Sequence, residues 1–242
     1  MKENETRRQV MLLEVIATCM DDVLAAAEHG ADRIELITAV TEGGLTPGIG
    51  LVQQAVAAVD IPIHVMVRPH SRSFVYSPLD IATMAVEVRA IVAAGAAGVV
   101  LGALTADGRI DEQALETLLP LTAGMQVTFH RAFDELADQM SGIQILMKYP
   151  QITRVLTSGG QPSALDAVPQ IRELVQITNG SGLRILAGAG LTIAGIPSFI
   201  RETGVSEVHF GSAVRMDSNG LAPIDPERLR GLADKLHGLG IV

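Results

Sequence analysis

Eight short runs of β-branched and aliphatic residues recur at nearly even intervals along this chain, each followed by a helical stretch. The runs fall at 12–18, 33–38, 63–68, 98–104, 126–131, 154–157, 184–187 and 207–211. Seven steps carry the chain from Leu12 to Glu207, roughly 28 residues each, which suits one strand, one helix and two short loops. Strands that alternate with helices make parallel sheets, and eight such units make a (β/α)8 TIM barrel. The chain has 242 residues, close to the roughly 250 of one complete barrel. No Pro/Gly-rich linker divides it, so residues 1–242 are read as one domain, with the polar stretch 1–10 as a flexible lead-in.

Local punctuation agrees. "AAAEHGADRIEL", "AIVAAGAAGVVLG" and "FIRETGVSEVHFG" each run from a helix end through a glycine into a strand. Gly30, Gly95 and Gly204 sit where helices end in left-handed backbone, a conformation glycine adopts without a Cβ penalty. Asp21–Asp22, Ser77–Pro78 and Asp225–Pro226 mark helix starts. A doubly wound nucleotide-binding sheet would carry a glycine-rich turn after its first strand, and "TCMDD" has no glycine there.

Aromatics are only 3% of residues and Trp is absent, so the core is built from Ala, Val, Ile and Leu, as in parallel strands buried on both faces. A formal net charge of −9 argues against nucleic acid as partner and against docking on anionic lipid. One cysteine, Cys19, makes no internal disulfide, and no signal peptide or bilayer-length apolar run is visible. A cytoplasmic location is the expectation.

In this fold the active site lies at the C-terminal strand ends. Glu14 and Glu35 lie on neighbouring strands, whose axes run about 4.8 Å apart. Two such carboxylates need a proton, a cation or arginine counter-charges, for which Arg68 and Arg131 are available. A structural ion network in the barrel interior explains them equally well. In "TFHRAFD", His130 and Arg131 stand together at a strand end. Arg131 suits an anion and His130 suits proton transfer near neutral pH, with Glu35 as the other acid–base candidate. His64 and His209 lie inside strands, where a hydrogen-bonded core histidine is the simpler reading.

The turns "AGAGLT" and "FGSAV" follow the seventh and eighth strands, where barrels hold phosphate. Gly188, Gly190, Gly211 and Ser212 are therefore candidates for an anion cradle, and Ser158 in "TSGG" joins them as a ligand-binding candidate. "EGGLTPG" (42–48) reads as a turn, with Thr46–Pro47 opening the next helix. "SRSFVYS" (71–77) reads as a connector or a cover over the mouth.

Taken in order, "LLEV", "GADRIEL", "EGGLTPG", "IPIHVMVRP", "VTFHRAFD", "RVLTSGG", "AGAG" and "SEVHFGSA" resemble the CutC family of copper homeostasis proteins across nearly the whole chain. The resemblance implies a TIM barrel, cytoplasmic in bacteria, often a homodimer, associated with copper binding and with no firmly assigned reaction. It also implies a polar mouth of Glu14, Glu35, Arg68, His130, Arg131, Ser158 and His209. Members proposed to bind Cu(I) carry cysteines in strand one and just after "IEL". Here Val15, Ile16 and Ala17 occupy the first place and Ile37 the second. Cu(I) prefers thiolate or thioether ligands. Cys19 alone remains as a metal candidate, and Met20, Met66 and Met125 read as packing. Two functions follow as expectations: a copper-binding homeostasis protein, or an enzyme acting on a small phosphorylated or carboxylated metabolite.

Overall fold

A computed structural model describes residues 11–239, so the expected lead-in at 1–10 lies outside the described residues. Eight parallel strands close on themselves in chain order. They are β1 (Leu12–Ala17), β2 (Arg33–Leu36), β3 (Ile63–Met66), β4 (Gly98–Leu101), β5 (Gln126–Phe129), β6 (Ile152–Thr157), β7 (Arg184–Ala187) and β8 (Glu207–Phe210). Helices α1 (Met20–Glu28), α2 (Ile49–Ala58), α3 (Pro78–Ala93), α4 (Glu112–Leu118), α5 (Gln139–Leu146), α6 (Val168–Thr178), α7 (Ile196–Thr203) and α8 (Pro226–Gly238) follow them in turn. The (β/α)8 barrel expected from the spacing is therefore the fold.

Several strands stop short of the expected ends. β2, β3 and β5 release the chain before Thr38, Arg68 and Arg131, so these side chains stand on the loops of the C-terminal rim. Helix α2 opens at Ile49 rather than at Thr46–Pro47. Thr46 is held back by Arg68, whose backbone N–H donates to its hydroxyl at 2.9 Å, while that hydroxyl donates to Glu87 at 2.8 Å. Elsewhere the caps act as expected. Ser77 and Asp80 form a reciprocal capping box on α3, and Asp225 accepts from Glu227 and Arg228 at the start of α8. Gly204 closes α7 at φ +74°, in the left-handed region.

Strand alternation sorts the core into two parts. Leu13, Val15, Ile34, Leu36, Val65, Val99, Leu101, Val127, Phe129, Val155 and Val208 face outward and join the aliphatic layer beneath the helices. The alternate residues face the barrel axis. There Glu14, Arg33, Glu35, His64, Thr128, Arg154, Glu207 and His209 are all buried, where barrels of this class more commonly stack branched aliphatics. One apolar cluster inside joins Ile37, Met66 and Val100, flanked by Ile16 and Val40.

Candidate functional site

The base of the barrel interior is a chain of ion pairs. Arg33 stands opposite Glu14 in the β1–β2 register, and its Nε donates to Glu14 Oε2. Its Nη2 donates to Glu207 at 2.9 Å, and Arg154 Nε donates to the same Glu207 oxygen at 2.9 Å. Above this ladder, His209 lies between the two buried glutamates, with Nδ1 2.7 Å from Glu14 Oε1 and Nε2 3.7 Å from Glu35 Oε2. The glutamate pair is thus real, with side-chain atoms of Glu14, Glu35 and His209 all within 4.8 Å of one another. Its counter-charges are Arg33 and His209, not Arg68 and Arg131 as the sequence suggested.

Environment separates the two carboxyls. Burial alone would raise Glu14, but Arg33, seconded by His209, holds it well below the usual carboxylate range. Glu35 is equally buried and lacks an arginine at contact distance. Desolvation dominates there and pushes it up to about 7, despite the opposing charge of His209. Burial would lower His209, yet the charge of Glu35 and the hydrogen bond to Glu14 carry it upward. Glu14 belongs to the ladder beneath the mouth and is not among the residues that line the cavity described next. Glu35 keeps one oxygen, Oε1, with no hydrogen-bond partner among the described residues.

A cavity of about 570 Å³ opens above Glu35 and His209 at the C-terminal end of the barrel. Arg68 reaches it from the rim after β3. Its Nη1 donates to the backbone carbonyls of Glu42 (2.9 Å) and Gly44 (3.2 Å), so the "EGGLTPG" turn serves to hold this guanidinium. Its Nε makes no hydrogen bond among the described residues, and the Tyr76 hydroxyl lies near enough to feel the guanidinium charge. Phe74, from the 71–77 segment, lies against both basic groups, 4.6 Å from the guanidinium and 4.8 Å from the His130 ring.

His130 Nδ1 accepts from the backbone N–H of Ala132 at 3.2 Å. Gly102 leaves room for the ring: a Cβ there would lie 2.7 Å from Nδ1. Burial, aided by the charge of Arg68, lowers the imidazole to about 3. His130 is therefore neutral at pH 7, with its proton on Nε2, and that N–H is a buried donor without a partner. That low value sets His130 apart from the proton transfer near neutrality that the sequence suggested.

Arg131 lines the same cavity from its rim, with 45% of its side chain exposed and its Nε 2.8 Å from Asp134. Ser158 does not reach the cavity. Its N–H and hydroxyl both bond to Asp134, which also accepts from Thr157 and from the Gly160 N–H. The "TSGG" turn thus cradles Asp134. Gly190, Gly211 and Ser212 do line the cavity, with Ala189, Leu191, Thr192 and Ala213 beside them. Gly188 lies deeper, where a Cβ would meet Leu156 at 2.6 Å and His209 at 3.1 Å, so its role is to make room for those side chains.

The CutC family profile matches residues 11–214. The chain belongs to the CutC family. A CutC family protein of Mesorhizobium japonicum is 39% identical over 207 residues, covering 86% of this chain and 80% of the relative. The human copper homeostasis protein cutC homolog is 37% identical over 207 residues, covering 86% of this chain and 75% of its own length. Among solved structures, the copper homeostasis protein CutC of Streptococcus agalactiae matches with a TM-score of 0.78 at 31% identity, covering 82% of this chain and 97% of that one.

The donors of this CutC chain do not suit Cu(I). Cys19 is exposed at the N-cap of α1, and no second cysteine exists to complete a thiolate pair. Glu14, Glu35 and His209 come close enough to hold a cation, but Glu14 already receives Arg33 on one oxygen and His209 on the other. Only Glu35 would then offer a free oxygen. The place of Arg33, Arg154 and Glu207 in the ladder was not foreseen in the sequence. The signal was present: Arg33 and Glu207 lie two positions before Glu35 and His209, on the same strand faces.

Proposed function

We propose that the mouth of this barrel binds a small anionic metabolite and moves a proton on it, with Glu35 as the acid–base group. One observation carries the reading. Glu35 Oε1, Arg68 Nε and His130 Nε2 are three buried polar atoms with no hydrogen-bond partner among the described residues, on residues that line a single cavity. Leaving a buried polar group unpaired costs about 1–3 kcal/mol, so three around one cavity mark a place that a ligand completes. Arg68 and His130 offer donors to an oxyanion, while Arg131 adds charge at the rim. Backbone around Gly190, Gly211 and Ser212 suits a phosphate or carboxylate, as at the corresponding turns of other barrels.

The copper in the relatives' names enters this reading only as a cellular context, because the mouth offers no thiolate and Met66 as its one thioether among the lining residues. Titration calorimetry with 2-phosphoglycolate tests the site. Binding that weakens at least about tenfold in Arg68→Ala is expected from loss of a charged hydrogen bond. No heat of binding at millimolar concentrations, in a folded protein, would overturn the proposal.

A further inference from the structure

The cavity has two chemically different ends. On the turns after β7 and β8 its lining residues, Gly190, Leu191, Thr192, Gly211, Ser212 and Ala213, are all neutral. A phosphoryl group undergoing transfer needs cations to take up its charge, whereas a phosphate used as a handle needs only backbone N–H groups. The reacting end is therefore the other one. There Glu35 on β2 and His130 just after β5 come from opposite sides of the barrel, three strands apart, with Arg68 between them at the rim of β3. Ile16, Ile37, Met66, Leu156 and Phe74 supply the apolar walls.

We propose that this end catalyses proton transfer at the carbon beside a carbonyl group in a small phosphorylated hydroxy-aldehyde or hydroxy-ketone, a reading that deepens the anion site above. Glu35 is the base. A carboxylate set among apolar walls, with one oxygen bare, is suited to a C–H proton. Its partner Oε2 faces His209, which Glu14 orients from below, so Glu14 and His209 are positioning residues. The other requirement is a donor to the carbonyl oxygen. His130 meets it, because the Ala132 N–H occupies Nδ1 and leaves the proton on Nε2. A neutral imidazole held at a helical turn polarises a carbonyl without protonating it, and Arg68 supplies the charge.

The step balances without a co-reactant. Glu35 takes the proton as the C–H bond breaks, the pair forms a carbon–carbon double bond, and the carbonyl π pair moves to oxygen. That oxyanion is held by His130 Nε2–H and Arg68. Glu35 then returns the proton to the same carbon, or to the former carbonyl carbon. In the second case the hydroxyl proton shifts between the two oxygens, and an aldose becomes a ketose or the reverse.

The test has two arms, run at pH 7.5 on the full chain. In the first, 2-phosphoglycolate binding is measured by calorimetry. In the second, dihydroxyacetone phosphate, D-ribose 5-phosphate and D-glucose 6-phosphate are each incubated in D2O, and deuterium at the carbon beside the carbonyl is followed by proton NMR. Protein-dependent exchange with at least one sugar phosphate is expected. It should fall about 100-fold or more in Glu35→Gln, as expected for loss of a general base, while an unchanged far-ultraviolet circular dichroism spectrum shows that the variant folds. Binding without exchange of any of the three, or exchange that survives in Glu35→Gln, overturns the reaction and leaves the anion site standing. Failure of 2-phosphoglycolate to bind the native chain removes the anion site and the reaction with it.

Discussion

His209 Nδ1 stands 2.7 Å from Glu14 Oε1, a buried contact that joins the ion ladder of the barrel base to the floor of the mouth. Through it the lower glutamate is fully committed, and the upper one is left with a bare oxygen.

Glu35 is raised to about 7 by burial, from 4.5 in the unfolded chain. A group with a raised folded value binds its proton more tightly when folded. Its contribution to stability is therefore complete below about pH 4.5 and is lost as pH rises towards 7. Glu35→Gln removes this loss. The difference in denaturation midpoint between variant and native protein should shift in the variant's favour from pH 5 to pH 8. A difference independent of pH would show that Glu35 titrates normally.

The two depressed histidines act in the opposite sense. His64 and His130 are each lowered by burial to about 3, from 6.5. The unfolded chain takes up these protons below about pH 6.5 and the folded chain does not. Stability is thus complete above that value and falls as pH drops towards 3. Nitrogen-15 NMR of the ring nitrogens should show both imidazoles neutral at pH 5. An imidazolium signature for His130 at that pH would remove its role as a fixed donor.

Arg33 and Arg154 share Glu207, and Arg33 has Glu14 as a second carboxylate. Glu207→Gln leaves the buried Arg154 guanidinium without a carboxylate partner, and breaking such a pair costs about 3–5 kcal/mol. Urea denaturation at pH 7 should report a loss of that order, against near-zero change for Asp107→Asn in the exposed pair with Arg109.

Gly102→Ala would place a Cβ 2.7 Å from His130 Nδ1 and 2.8 Å from its Cε1. The ring must swing, and its Nε2–H leaves the cavity. Affinity for 2-phosphoglycolate should fall about tenfold, the loss of one charge-assisted hydrogen bond. Unchanged affinity in a folded variant would mean that His130 does not touch the ligand.

The barrel was legible in the sequence because its period and its punctuation are both local: about one strand every 28 residues, with Ser77 and Asp225 marking helix starts. Glu35, Arg68, His130 and Arg131 were legible as mouth residues because polar side chains at strand ends are rare in an aliphatic chain. Their roles were not. Whether His130 titrates near neutrality depends on Ala132 and Gly102, and the fate of Glu14 depends on Arg33 across a strand pair. Ser158 was misplaced for a similar reason. A Thr-Ser-Gly-Gly turn has the same look whether it receives a phosphate or the carboxylate of Asp134.

The central claim is that Glu35, Arg68 and His130 complete their hydrogen bonding on one bound anionic molecule. A crystal structure of the protein soaked with 2-phosphoglycolate tests this most directly. The carboxylate is expected within hydrogen-bond distance of Arg68 Nε and His130 Nε2, with the phosphate against Gly190, Gly211 and Ser212. Density elsewhere on the surface, with the mouth holding only water, would contradict it.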